Sequence, residues 1–125
     1  MFSDAEVIHS YSRAQAFSDG VLVNLSANYP DLCKRHHRYP IACTAAVWHL
    51  IELAVDESNG SSHAGWIHDI LWMSKFPTTK YSDGVGEVVE FVVGLPEGKY
   101  LQMKAHVGPG DQGEAVITVM LKGED

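Results

Sequence analysis

Past its midpoint the chain stops repeating its apolar residues at a helical period and begins to repeat them at a strand period. This change constrains the fold more than any other feature. Helical spacing predicts one helix from Ala45 to about Val55 and another from Ala64 to Lys75. Three strand-like segments follow: Val85 to Val93, Tyr100 to Val107, and Ala115 to Leu121. The breaks between them are Gly94-Leu95-Pro96-Glu97-Gly98 and Gly108-Pro109-Gly110-Asp111-Gln112-Gly113. Connections this short join antiparallel neighbours, so the three segments are expected to form a meander. Helices followed by a run of strands imply an α+β fold: a mainly antiparallel sheet with a C-terminal three-stranded meander packed by two central helices. In the last segment Val116, Thr118 and Met120 alternate with Ile117, Val119 and Leu121. Both faces are nearly apolar, which predicts a central strand covered on both sides.

The N-terminal half gives shorter signals. Glu6 to His9 reads as a strand. Ser12 can cap a helix over Arg13 to Ser18, which Asp19-Gly20 then closes. Val21 to Leu25 is β-branched and apolar, so a buried strand is expected. After Tyr29-Pro30 a short helix is expected around Asp31 to His36. Thr44 can cap the first central helix. That helix carries Ala46, Val47, Trp48, Leu50, Ile51, Leu53 and Ala54 around most of its circumference, the pattern of a core helix with a buried Trp48. On the second central helix, Ile67, Ile70, Leu71 and Ser74 form one stripe, flanked by Trp66 and Met73. The length of 125 residues fits one domain spanning residues 1–125.

Nine Lys and Arg stand against 16 Asp and Glu, a net charge of −7. That balance disfavours broad attraction to nucleic acid or to an anionic membrane, since phosphate binding needs clustered cations. The first residues lack the basic and apolar regions of a signal peptide. The longest nearly apolar stretch, Ile41 to Ala54, is too short and too polar to span a bilayer. A cytoplasmic location is therefore expected, with Cys33 and Cys43 as reduced thiols.

Seven histidines make metal binding a question to weigh. Cys33 and His36 have the gap of a zinc knuckle, and Cys43 is a possible third ligand, but the set is incomplete. No metal is expected there. Lys34, Arg35 and Arg38, with His36 and His37, form the one basic cluster. Such a cluster can grip a phosphate or a carboxylate, although a solvated face is the plainer reading. His63 and His68 are spaced off one helical face, so a shared metal is not expected. His49 reads as a boundary histidine. No nucleophile elbow, Walker loop, zincin helix or dinucleotide fingerprint occurs. The glycine-rich 108–113 stretch joins two strands and reads as a hairpin.

Ile8-His9-Ser10-Tyr11-Ser12, a short helix and Gly20-Val21-Leu22 resemble the opening of some ADP-ribosyltransferases. That resemblance implies a small enzyme using NAD, with His9 and Ser12 holding the cofactor and Glu114 or Glu90 as the acid.

A second resemblance spans nearly the whole chain. It is carried by Ile8 to Ala16 with Asp19 to Val23, and by Gly108 to Asp111 with Gly113-Glu114, Val116 to Leu121 and Gly123 to Asp125. Tyr39-Pro40, Thr44, Ala46-Val47-Trp48 and Leu71-Trp72-Met73 lie between. These blocks resemble a small bacterial family of unknown function, frequent on plasmids and other mobile elements. Its members generally have a shorter 26–40 segment, which marks Cys33 to Arg38 as particular to this chain. The resemblance implies no activity and no cofactor. It suggests a non-enzymatic binding or accessory protein of mobile elements, with a protein partner and a host defence complex as one class of target. Arg13, Gln15 and Asp111 are the candidate binding residues. Arg13 opens its helix with a cation, against the macrodipole, so it is expected to pair with a carboxylate such as Glu114 or Asp111.

Overall fold

A computed structural model describes residues 11–57 and 62–124. The expected strand over Glu6 to His9 lies outside them. Ser12 caps α1 (Arg13–Ser18) as predicted, its hydroxyl accepting the Gln15 amide at 3.0 Å. Gly20, at φ +77°, turns the chain out of that helix in a conformation that a side chain would strain. β1 (Leu22–Asn24), α2 (Leu25–Asn28) and α3 (Pro30–His36) follow. Asn24 caps α2, and Pro30 begins α3, where its missing N–H costs no helical bond. β2 (Ile41–Thr44) leads into α4 (Ala45–Glu57), and then comes α5 (His63–Met73). The sheet is completed by β3 (Thr79–Ser82), β4 (Glu87–Gly94), β5 (Tyr100–Pro109) and β6 (Ala115–Leu121).

The fold is α+β, with a six-stranded sheet in the order β1-β2-β6-β5-β4-β3. The meander β4-β5-β6 is antiparallel throughout. β2 lies parallel to β6, pairing Ile41 with Ile117 and Cys43 with Val119. Register places Val23, Ile41, Cys43, Ile117, Val119, Met103, Ala105, Phe91 and Val93 on one face. These side chains meet Val47 and Ile51 of α4 and Ile67, Ile70 and Leu71 of α5 to form the core. The predicted α5 stripe is thus the buried one, and it includes Ser74, whose hydroxyl donates to the Leu71 carbonyl at 2.6 Å.

Several expectations need correction. β2 and β3 stand where no strand is predicted. β2 is only four residues long and fully apolar up to Thr44, so its pattern merges with the helix after it. β3 is exposed along its length and lacks an apolar face. β1 is an edge strand rather than a buried one, and Val21 before it is 51% exposed. α4 covers the sheet from one side instead of running through the core: Val47 and Ile51 are buried, while Ala46, His49 and Leu53 are exposed. Trp48 is half-buried, its ring stacked on His63 at 5.3 Å. β6 is central as expected, and on its second face Val116 is buried.

Candidate functional site

The site is built where α3 ends beside the outer face of α5. The buried stripe of α5 fixes which side chains point away from the core, and His68 and Trp72 are among them. Phe76 lies in the turn that follows, its amide bonded to the Met73 carbonyl at 3.0 Å. Residues 68, 72 and 76 are each four apart, the spacing that stacks side chains along a helix. Trp72 is 48% and Phe76 55% exposed. Their rings lie 5.6 Å apart, and His68 stacks on Trp72 at 6.3 Å.

From α3, His36 reaches this row. Its Nε2 lies 3.0 Å from Nδ1 of His68, and its ring meets Trp72 edge-on. One of the two facing nitrogens donates and the other accepts, so the contact exists only while at most one of them needs the gap for its proton. The other nitrogen of His36, Nδ1, is buried without a partner among the described residues. Next to it, His37 Nε2 donates to the Ser74 hydroxyl at 3.0 Å, because that hydroxyl spends its own proton on Leu71.

The field at this corner is positive. Burial lowers the His36 pKa, and Lys75, His68, His37 and Arg35 push in the same direction. Burial and then Lys75 lower His37 likewise. The Lys75 ammonium sits 5.2 Å from the Trp72 ring, a cation–π contact. Among the described residues neither Arg35 nor Lys75 has a carboxylate within 4.0 Å; the ion pairs there are Lys80–Glu87, His106–Asp83 and Lys122–Glu90. Beside the histidine pair lies an open hollow lined by Tyr29, Asp31, Arg35, Gly65 and His68. An acidic chain therefore carries an aromatic corner whose cations have no carboxylate partner among the described residues.

The residues singled out from sequence sit elsewhere. Asp111, on the β5–β6 hairpin, does meet Arg13, though through the main chain: its carboxylate accepts the amides of Arg13 at 2.7 Å and Ala14 at 3.0 Å. Among the described residues the guanidinium of Arg13 takes no carboxylate as its hydrogen-bond partner. It donates to Thr118 Oγ1 at 2.7 Å and to the Ile117 carbonyl at 3.0 Å. The expected attraction to Asp111 and Glu114 is present through space, as both carboxylates favour the Arg13 charge, but the hydrogen bonds go to a helix cap and a sheet contact instead of a side-chain ion pair. Gln15 is exposed. The Ser12 hydroxyl accepts the Gln15 amide, and the Glu114 carboxylate accepts the Gln112 amide within its own hairpin. Glu90 lies 3.6 Å from Lys122. His9 is outside the described residues.

Cys33 and Cys43 are free, buried thiols. His36 faces His68 instead of joining them. Among the described residues no three His, Cys, Asp or Glu side chains group in a way that could hold a metal. His63 stacks on Trp48 and His68 meets His36, so the two diverge as their spacing predicts. Sequence reasoning picked out the basic cluster but missed its aromatic half. The signal was present: His68, Trp72 and Phe76 complement the buried α5 stripe.

The fold and this corner define an α+β protein with a helix-covered mixed sheet and an exposed aromatic, histidine and cation face. No described helix is long and apolar enough to cross a membrane. The chain belongs to the family of unknown function DUF6573, whose model matches residues 1–125. Neither a curated protein nor a solved structure matches it.

Proposed function

We propose that this chain is a non-enzymatic binding protein that docks a protein partner on the face formed by α3 and α5. The observation that carries this reading is the exposure of Trp72 and Phe76 side by side. Exposed apolar residues scattered singly are ordinary, but two adjacent large aromatics framed by cations are the composition of an interface centre. Covering them removes apolar surface from water at about 25 cal/mol per Å². The wider setting belongs to the same proposal: an accessory protein of bacterial mobile elements, acting in the cytoplasm on a host defence complex. The resemblance to small plasmid-borne proteins supports that setting.

A photo-crosslinking residue at position 76 tests the docking face directly. Expressed in host cells, it should trap one defined partner, and the adduct should vanish in a Trp72→Ala background. The same probe at Lys99, on the β4–β5 connection, should trap nothing at that mass. Equal trapping at both positions, or none at position 76, rejects the reading.

A further inference from the structure

Building on that docking face, we propose that its partner presents an acidic segment, a carboxylate beside an apolar residue, and that docking takes up one proton at the His36–His68 pair. The apolar residue rests on Trp72 and Phe76, and the carboxylate faces Arg35, Lys75 and the two imidazoles.

Charge complementarity chooses the occupant. Of the groups around His36, α3 supplies Arg35 and His37 and the α5 side supplies His68 and Lys75, and all of them oppose added positive charge. Asp31 lines the neighbouring hollow and supplies the one carboxylate of its lining among the described residues. Hydrogen bonds from charged donors to carboxylates are the strong ones, and these donors lack such an acceptor among the described residues. A nucleic acid needs a longer track of cations than this corner offers in a chain of net charge −7.

The proton follows from the geometry. Facing nitrogens 3.0 Å apart share one hydrogen. A proton added at a remaining ring nitrogen turns that contact into a charge-assisted bond, whereas a second would set N–H against N–H. In the free protein the surrounding cations resist even the first. A bound carboxylate offsets their field, so the pair gains a proton on binding. By linkage, a complex that binds a proton tightens as pH falls, and the proton in turn favours the complex.

The test is a calorimetric titration of the full chain with the peptide Ac-Glu-Glu-Phe-Glu-Glu-NH2, with the indole Nε1–H resonance of Trp72 reporting where it binds. At constant ionic strength, affinity should rise as pH falls from about 8 to about 6, by up to about tenfold for each pH unit over which one proton is taken up on binding. A peptide with Gln in place of Glu should bind more weakly and without that rise. His68→Gln should flatten the pH dependence, and Trp72→Ala should remove binding at both pH values. Both positions are exposed, and circular dichroism confirms that the variants fold. If Trp72→Ala abolishes binding while His68→Gln keeps the full pH rise, the proton linkage is wrong and the docking face stands. If the acidic peptide moves no Trp72 resonance while the position 76 crosslink forms, the acidic partner is wrong. Tighter binding of oligothymidylate than of the peptide overturns the proposal in favour of nucleic acid.

Discussion

Asp111 accepts the main-chain amide of Arg13 and attracts its guanidinium through space, while the guanidinium makes its hydrogen bonds to the sheet. The carboxylate receives the first two amides of α1, at 2.7 and 3.0 Å, across 98 positions of sequence. With the Ser12 hydroxyl on the Gln15 amide, three free donors of the helix start are satisfied. A carboxylate at that end also offsets the cation that opens the helix. The guanidinium is thereby released to bond Thr118 and the Ile117 carbonyl on β6.

This arrangement predicts an acid-sensitive latch. The Ala14 and Arg13 amides hold the Asp111 carboxyl below the usual carboxylate range, and the Gly86 and Val85 amides do the same for Asp83. A depressed carboxylate stabilises the fold above its unfolded pKa of 3.8, and that contribution is lost as pH falls through the lower folded value. Asp111→Ala should lower the Tm at neutral pH, with Asp111→Asn between it and the wild type. The Tm difference should shrink as pH falls below about 4. A carboxyl titration by NMR placing Asp111 at or above 3.8 contradicts this.

Core truncations should separate two aromatic residues. Phe91 is 1% exposed and lies within the core, so Phe91→Ala should cost about 3–5 kcal/mol. Trp48 keeps part of its ring in water against His63, so Trp48→Ala should cost less than about 3 kcal/mol. Denaturant midpoints at unchanged slope measure both, and the reverse order would contradict the packing described.

Both thiols should be silent in the native state. Burial pushes Cys43 up to about 12, with Glu124 and Cys33 adding to it, and burial raises Cys33 as well. The thiolate is the reactive form, so neither should react with a maleimide-type or disulfide reagent until the chain unfolds. Rapid labelling of either cysteine at neutral pH in folded protein would show that the core opens at β2 or α3.

The histidines at the end of α3 should weaken the fold in mild acid. His36 and His37 both have folded pKa values below 6.5, chiefly through burial. The unfolded chain then binds protons more readily than the native one, so stability is full above about pH 6.5 and falls as pH drops through the folded values. The Tm should decline from about pH 7.5 to about pH 5, and His37→Gln should reduce the decline while keeping a donor for Ser74. A Tm independent of pH across that window would refute it.

Local chemistry determined much of this protein. Ser12 and Gly20 bracket α1 because a hydroxyl satisfies a free amide and a glycine accepts a positive φ, and both effects act within a few residues. The buried stripe Ile67, Ile70, Leu71 and Ser74 was legible because a helix repeats at a fixed period. The meander was legible because short breakers permit only antiparallel neighbours.

Tertiary structure decided the rest. β2 is only four residues long and pairs with β6, more than seventy positions away, so nothing local marks it as a strand. That parallel pairing places α4 on one side of the sheet and leaves Trp48 half in water. Asp111 and Arg13 were both singled out in sequence, but which group of Arg13 the carboxylate would take depended on where the hairpin comes to rest against α1. The corner of His36, His68 and Trp72 joins two helices distant in sequence, and a single helix's periodicity says which residues face outward without saying what they meet.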